Sequence, residues 1–236
     1  MSGINANTVL MLHGNGTDAS TTFTDDSPSG HTVTPAGNAQ IDTAISKFGG
    51  ASMLFDGTGD YLDLDGSSDF AFGSGDFTID FWIRFAALGV DIIWDQRPTL
   101  TNGLYPTIYT DGTNLLYFTD SADRITGTTN LSTGTFYHVA LTRSGTSTRL
   151  FLDGTQEGST YSDSNTYLNG SSRPRIGDMG FSSGNEITAS IDEIRVQKGE
   201  AWWTGNFTPR TIPWSYGNMR GHRRRRTGTN KPVRMF

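Results

Sequence analysis

The chain contains no cysteine among its 236 residues. Disulfide bonds, thiolate metal sites and cysteine nucleophiles are therefore excluded. Apolar runs are also short, and none approaches the roughly 20 residues that a membrane-spanning helix needs. The N-terminal segment lacks a basic region, and its apolar run from Val9 to Leu12 is too short for a secretory signal. We therefore expect neither a signal peptide nor a membrane partner.

Patterns that mark common catalytic sites are sparse as well. The four histidines lie far apart and form no metal-ligand spacing: His13, His31, His138 and His222. No nucleophile elbow is present, and the glycine-rich turns do not precede helices, which argues against a serine hydrolase and against a phosphate-binding loop. The sequence thus favours a binding protein, and we expect no enzyme activity.

Aromatic residues and glycines, in contrast, are plentiful, with 14 Phe, 8 Tyr, 5 Trp and 29 Gly. Alternation of apolar and polar residues recurs and is clearest in FTIDFWIRF (77–85) and FYHVALTR (136–143). Asp-Gly and Asn-Gly turns separate such segments, as antiparallel hairpins require. The pattern predicts an all-β fold in which two antiparallel sheets pack as a sandwich.

Shorter segments complete the predicted strands, and Pro106 marks the one at 104–109 as an edge strand because proline cannot donate to a ladder. One helical turn is predicted near 197–204. The remaining predicted strands are 8–12, 52–55, 60–64, 90–94, 114–118, 148–154, 173–177 and 187–196.

The net charge of −6 conceals two regions of opposite sign. Residues 217–236 hold seven of the 18 Lys and Arg residues and no acid, which leaves 11 basic against 24 acidic residues in the rest of the chain. The C-terminal stretch also has too few apolar residues for a core. We predict a domain of residues 1–214 and an arginine-rich arm of residues 215–236.

Five segments occur in a fixed order along the domain: SKFGGASMLFDGTGDYLDL (46–64), GSGDFTIDFWIRF (73–85), GTFYHVALTRSG (134–145), RLFLDG (149–154) and SIDEIRVQKGEAWWTGNFTP (190–209). Together they resemble the laminin-G-like, concanavalin A-like lectin/glucanase jelly rolls, and most of all the stand-alone versions found in tailed phages. The resemblance covers roughly residues 7–214. It implies two antiparallel sheets face to face, with the N- and C-terminal strands next to each other.

The resemblance also suggests functions. The first expectation is a non-enzymatic phage virion component, a lectin-like capsid decoration or fibre-like protein that docks through its termini and arm. It would be made in the host cytoplasm, lie on the virion surface and form a homo-oligomer, with a trimer expected. The alternative is a carbohydrate-binding adhesin of the tail-fibre type. Both readings leave room for glycan partners.

A glycoside hydrolase is the disfavoured third reading. Laminarinase-like relatives place carboxylates as Glu-x-Asp-x-x-Glu on one strand, where they act as nucleophile and acid/base. The corresponding stretch here is SIDEIR, which puts Ser190 and Arg195 at the two glutamate positions and retains only Asp192. The catalytic pair is therefore missing from this register.

Aromatic residues are the candidates for glycan contact. Trp82 points away from the core side of its strand, so it either lines a ligand groove or lies beneath a loop. The segment from 105 to 117 adds further candidates, namely Tyr105, Tyr109 and Tyr117. We expect ligand binding at these four residues.

Aspartates in loops are the candidates for a structural calcium ion, because calcium takes several carboxylate and carbonyl oxygens. The candidate ligands are Asp25, Asp26, Asp56, Asp60 and Asp192. Two alternatives remain: Asp-Gly is itself a turn signal at Asp56, and Asp192 is expected to accept backbone hydrogen bonds that lock the last strand.

The arm is the candidate docking element. Consecutive arginines repel one another unless anions surround them, so nucleic acid, an acidic protein surface and a neighbouring copy of the domain all suit them. Single-strand binders interleave aromatic residues, and the arm has only Phe236. We therefore favour a virion protein over nucleic acid as the partner, with these docking residues: Trp203, Arg223, Arg224, Arg225, Arg226 and Phe236.

Overall fold

A computed structural model describes residues 3–98, 103–179 and 184–216 of the chain. These residues form strands joined by turns, with a single short 3-10 turn at Ser68–Phe70. The strands are β1 (Thr8–Leu12), β2 (Val33–Ala36), β3 (Gln40–Asp42), β4 (Ser52–Asp56), β5 (Tyr61–Leu64), β6 (Phe77–Phe85), β7 (Val90–Asp95), β8 (Thr107–Asp111), β9 (Leu115–Thr119), β10 (Ala122–Thr126), β11 (Phe136–Ser144), β12 (Ser147–Leu152), β13 (Thr155–Ser162), β14 (Arg175–Ile176) and β15 (Thr188–Lys198).

The strands make two antiparallel sheets. The eight-stranded sheet runs β13-β12-β11-β6-β15-β4-β3, and β1 also pairs with β15. The seven-stranded sheet runs β10-β9-β8-β7-β14-β5-β2. The expected two-sheet jelly-roll sandwich is confirmed, and so is the pairing of the first strand with the last.

The core lies between the two sheets and follows the alternation in β6. Its inward side chains are at most 2% exposed: Phe77, Ile79, Phe81, Ile83 and Phe85. The opposite side of the same strand is buried too, since Thr78 and Asp80 are inaccessible to solvent and Trp82 is only 6% exposed. A further layer of chain therefore covers the outer face of the eight-stranded sheet.

Two local predictions are wrong. Residues 197–204 contain no helical turn, because β15 continues to Lys198 and an irregular segment follows. The proline-containing segment is not an edge strand either, since β8 lies between β7 and β9. The ladder tolerates Pro106 because β8 begins only after it, at Thr107.

Candidate functional site

A row of directly paired residues crosses six strands of the seven-stranded sheet on its outer face. In order from β5 to β10, the row consists of Asp63, Arg175, Asp95, Thr107, Phe118 and Asp123. Acidic, basic and aromatic side chains thus follow one another across the sheet. Rows of this kind place polar groups at the roughly 5 Å spacing of neighbouring strands.

Two arginines on this face are held in fixed orientations by carboxylates. Arg97 contacts Asp95 through Nε at 2.8 Å and Nη2 at 3.0 Å. Arg175 contacts Asp63 in the same two-pronged manner, through Nε at 2.7 Å and Nη2 at 2.8 Å. Bidentate pairs fix the plane of the guanidinium group, so both groups are in place before any ligand arrives.

Beside this row lies a shallow cavity of about 180 Å³, here called the Tyr109 pocket. The half-buried rings of Tyr109 and Phe118 line it, and the Arg97 guanidinium lies 5.3 Å from the centre of the Phe118 ring. The Tyr109 hydroxyl donates to Asp123 Oδ1 at 2.7 Å. Burial, with a contribution from Asp123, raises the pKa of Tyr109, so the phenol remains a neutral donor. The other lining residues are Val90, Ile92, Thr107 and Met179.

The outer face of the eight-stranded sheet is different because residues 200–216, here called the C-terminal strap, lie across it. Trp203 stacks on Phe207 with their ring centres 4.1 Å apart, and Trp202 meets Trp214 edge to face at 5.1 Å. The backbone of the strap is tied to the sheet, since the Thr142 hydroxyl donates to Trp203 O at 2.7 Å. The strap thus makes a second apolar layer outside the sandwich.

An ion pair is enclosed beneath the strap. Arg195 Nε lies 2.8 Å from Asp80 Oδ1, and both side chains are completely buried. The Arg195 guanidinium carbon lies 3.8 Å from the centre of the Trp202 ring and 3.5 Å from that of Trp214. Cation–π contacts of this type are strongest where water is excluded. The arginine therefore fills an aromatic cage made by its own chain.

The acidic pair Asp192 and Glu193 also holds the covering segments in place. Asp192 Oδ2 accepts hydrogen bonds from the backbone N–H groups of Lys47 and Phe48, both at 2.9 Å. Glu193 contacts His13 at 2.6 Å and accepts from the backbone N–H of Trp214 at 2.6 Å. Burial raises the pKa of Asp192 to about 7. Both carboxylates serve as acceptors for the structure around them.

A groove of about 570 Å³, here called the Trp82 groove, remains between the strap and the loop that carries Lys47 and Phe48. The Lys47 ammonium lies 3.8 Å from the centre of the Trp82 ring. Trp82 is therefore covered by a loop residue, the alternative that the sequence left open, although it still lines the groove. The residues that line the groove are Lys47, Phe48, Trp82, Phe136, Asp153 and residues 209–211.

The four aromatic candidates for ligand contact fall in different places. Tyr109 lines a pocket, Trp82 lines the groove on the other sheet, and Tyr105 is half-buried outside both. Tyr117 is completely buried in the core, where its hydroxyl contacts that of Tyr167 at 2.5 Å. The prediction that Tyr117 contacts a glycan is wrong, because its strand turns this side chain inward and presents Phe118 outward.

The five aspartates proposed as calcium ligands do not come together. Asp25 accepts hydrogen bonds from three backbone N–H groups, and Asp60 accepts from the N–H groups of Asn38 and Asp56. Within residues 3–98, 103–179 and 184–216, no group of three or more His, Asp or Glu side chains could hold a metal ion. The predicted calcium site therefore does not fit the arrangement of these residues, and Asp192 follows the alternative of a structural acceptor.

Of the predicted docking residues, Trp203 is half-buried within the strap, where it packs on Phe207 and His138. The others, Arg223, Arg224, Arg225, Arg226 and Phe236, lie outside the described residues. Sequence reasoning missed Arg97, Phe118, Lys47 and Arg210, which line the two cavities. A signal existed only for Phe118, which alternates with the inward Tyr117.

A family model matches most of the domain. Residues 56–201 match the model of the Laminin_G_3 family, described as the concanavalin A-like lectin/glucanases superfamily. No curated protein matches the sequence.

Among the described residues, no helix has both the length and the apolar character needed to cross a membrane.

Solved structures share the fold at low sequence identity. The binding domain of Paraclostridial Mosquitocidal Protein 1 has a TM-score of 0.65 and 17% identity, over 84% of this chain and 50% of that chain. Domain 4 of AbnA, a GH43 extracellular arabinanase from Geobacillus stearothermophilus, was solved with arabinotriose and has a TM-score of 0.62 and 14% identity, over 83% of this chain and 94% of that chain. Botulinum neurotoxin type C, whose uptake depends on interaction with two ganglioside molecules, has a TM-score of 0.61 and 16% identity, over 84% of this chain and 49% of that chain. This chain thus spans about half the length of the two toxin structures.

Proposed function

The chain belongs to the concanavalin A-like lectin/glucanases superfamily, and from that premise we propose that it is a non-catalytic module that binds glycans. The fold itself hosts both lectins and hydrolases, so the function depends on the residues of the site. The Tyr109 pocket supports a binding role, because this cavity combines partly buried aromatic rings with polar groups that are already fixed.

The pocket suits a sugar for two reasons. Tyr109 and Phe118 offer flat apolar surface to the C–H face of a sugar ring, while Arg97 and Asp123 offer a donor and an acceptor to its hydroxyls. The ion pair with Asp95 and the hydrogen bond from Tyr109 hold these polar groups in place. Preorganised polar groups around an apolar surface lower the entropic cost of binding. The arabinotriose complex and the ganglioside-dependent neurotoxin support sugar as the ligand class.

We propose no catalysis because of what surrounds residues 190–195 (SIDEIR), the stretch that corresponds to the catalytic motif of laminarinase-like relatives. Asp192 accepts two backbone hydrogen bonds, and Arg195 is caged by tryptophans beneath the strap. Neither side chain faces a cavity in which a retaining mechanism could place a sugar between two carboxylates. A turnover assay on β-glucans and arabinans should show no hydrolysis, and measurable turnover would overturn this part of the proposal.

A glycan array followed by titration tests the binding role. Tyr109→Ala should reduce the affinity for an array-selected neutral glycan at least tenfold, because the ring surface is lost. Tyr216→Ala is the matched control, since Tyr216 is a half-exposed tyrosine that contacts Asp26 and Ile4, away from the pocket. An array without any bound glycan, or equal affinities for the two variants, would defeat the assignment.

We further propose that the module is carried on the surface of a phage virion, as a capsid decoration or fibre-like protein and as a homo-oligomer, with a trimer expected. Its resemblance to stand-alone versions from tailed phages and the arginine-rich arm motivate this setting. Ile4 pairs with Tyr216, and the Ile4 N–H donates to Ser215 O at 3.2 Å. The arm is thus attached next to the N-terminal strand, and docking at this end would leave the Tyr109 pocket free.

Deletion of residues 217–236 tests the docking role. The shortened domain should keep its unfolding midpoint and its glycan binding but lose attachment to particles in a co-sedimentation assay. A full-length variant with Arg223–Arg226 changed to glutamine should show the same loss if charge drives docking. Attachment that survives both changes would reject the arm as the docking element.

A further inference from the structure

The Trp82 groove has a charge opposite to that of the domain around it. Outside the C-terminal 20 residues the chain has 24 acidic and only 11 basic residues, yet Lys47 and Arg210 both line this groove. Arg84 lies two residues from Trp82 on the same side of β6, directly across from Phe136 of β11. Asp153, at the rim, is the acidic residue among those that line the groove.

These three cations also lack the partners that neutralise other arginines of the domain. Arg97, Arg124, Arg143, Arg175 and Arg195 each form an ion pair with an aspartate. In the described part of the chain, no carboxylate oxygen lies within ion-pair distance of Lys47, Arg84 or Arg210. Arg84 donates to Gly134 O, and Lys47 lies over the Trp82 ring. Their charges are therefore available to an anion.

Arg210 provides a further indication. Its guanidinium carbon lies 4.4 Å from the centre of the Trp214 ring, and its Nη2 reaches Pro213 O at only 3.4 Å. Its Nε is inaccessible to solvent and has no hydrogen-bond partner in the described residues. An unsatisfied buried donor is costly, and a ligand oxygen would satisfy this one once the Arg210 side chain shifts enough to expose Nε.

We propose that the Trp82 groove is a second ligand site and that it binds an acidic saccharide, a glycan whose sugar ring carries a carboxylate. Lys47 and Arg210 pair with the carboxylate from opposite walls. Trp82, Phe48 and Phe136 contact the ring carbons, and the Asp153 oxygen that does not accept from the backbone N–H of His138 accepts from sugar hydroxyls. The choice of a saccharide rests on the proposed function, whereas the choice of an acidic one rests on the groove alone.

Titration calorimetry on the full chain tests the site with two pairs of probes: 3′-sialyllactose against lactose, and trigalacturonate against its methyl ester. At least one acidic probe should bind ten times more tightly than its neutral counterpart, and its affinity should fall as salt rises from 50 to 500 mM because charge contributes. Lys47→Gln and Arg210→Gln should each weaken binding at least fivefold. Lys198→Gln is the control, since Lys198 contacts Ser68 O away from the groove, and it should change nothing.

Two more variants separate this site from the other cationic and glycan-binding regions. Acidic-probe binding should persist when Arg223–Arg226 are changed to glutamine and when Tyr109 is changed to alanine. Loss in the arginine variant would assign the binding to the arm, and loss in Tyr109→Ala would assign it to the Tyr109 pocket. Either result overturns the second site, as does equal binding of acidic and neutral probes. A Tyr109→Ala variant that loses only neutral glycans would support two separate sites.

Discussion

The outer faces of the two sheets carry the same kinds of residue and differ in what covers them. Each has an Asp–Arg ion pair beside aromatic rings: Asp80 with Arg195 on the eight-stranded sheet, and Asp63 with Arg175 on the seven-stranded sheet. The first pair is completely buried beneath the strap, whereas the side chains of the second are 23% and 12% exposed. The protein therefore covers most of one face with its own chain, where the Trp82 groove stays open, whereas the Tyr109 pocket lies on the face that the strap does not cover.

The aromatic side chains on the two faces consequently have different roles. On the eight-stranded sheet Trp202 and Trp214 enclose Arg195, so their surface contributes to stability. On the seven-stranded sheet Tyr109 and Phe118 border a cavity and are half-buried. The pocket is the stronger candidate for recognition because its two rings border open space, whereas Trp202 and Trp214 contact a buried guanidinium.

The largest effect expected from this comparison follows from Asp80→Asn. The substitution keeps the shape of the side chain but leaves the Arg195 charge buried without a counter-charge. Removing one member of a buried pair destabilises a fold by about 3–5 kcal/mol. Urea unfolding monitored by tryptophan fluorescence should show this loss of stability, with an unchanged dependence of the unfolding free energy on urea concentration. A loss below about 1 kcal/mol would mean that the strap admits water and that the two faces are less different than their burial indicates.

A second prediction concerns pH, because the covering layer buries acids whose protonation is linked to folding. Burial raises the folded-state pKa of Asp192 to about 7, against roughly 4 in an unfolded chain. The folded protein holds this proton where the unfolded chain releases it, so stability should fall as pH rises from about 4 to about 7 and level off above. Between pH 5 and pH 8 the expected loss is on the order of 2 kcal/mol.

Asp192→Asn isolates this contribution. The amide oxygen can still accept from the Lys47 and Phe48 N–H groups but does not titrate. The variant should therefore match the wild type near pH 5 and exceed it in stability at pH 8. Burial of His13 lowers its pKa, but the Glu193 carboxylate outweighs this and raises the pKa of His13 above its ordinary value. The stability that this pair contributes should also be lost as pH rises through the folded-state pKa of His13. In the variant the free energy of unfolding should therefore still fall with pH, but less steeply than in the wild type. An equally steep fall in both proteins would contradict the role of Asp192.

Alternation in the sequence was sufficient to predict the sandwich and most of its strands. In β6 and β11 apolar residues occupy every second position, and the inward set is buried as expected. The strands that escaped prediction are short or lack apolar alternation: β2 reads VTPA, β3 reads QID, β10 reads ADRIT and β13 reads TQEGSTYS. Such segments are strands because the sheet offers them a partner, and propensity alone does not reveal this.

The candidate sites were harder to predict, for two physical reasons. Alternation tells which residues point outward but not what lies over them, so neither the strap above Asp80 nor the Lys47 side chain above Trp82 left a signal in β6. In β9 the sequence LLYFT is apolar on both sides, and a shift by one residue exchanges the two faces of a strand. The ring in the pocket is accordingly Phe118, whereas Tyr117 lies in the core.

The smallest effect expected from the comparison is that of Asp63→Asn on the seven-stranded sheet. Its partner Arg175 remains partly solvated and keeps Asp178 at 3.1 Å, so the loss of one carboxylate charge leaves no isolated buried cation. Partly exposed pairs contribute about 1 kcal/mol or less. Urea unfolding should therefore show a loss of stability for Asp63→Asn that is several times smaller than the loss for Asp80→Asn. Because both variants make the same chemical change beside an arginine, equal losses would show that the burial of the pair does not set its contribution, and the contrast between the two faces would fail.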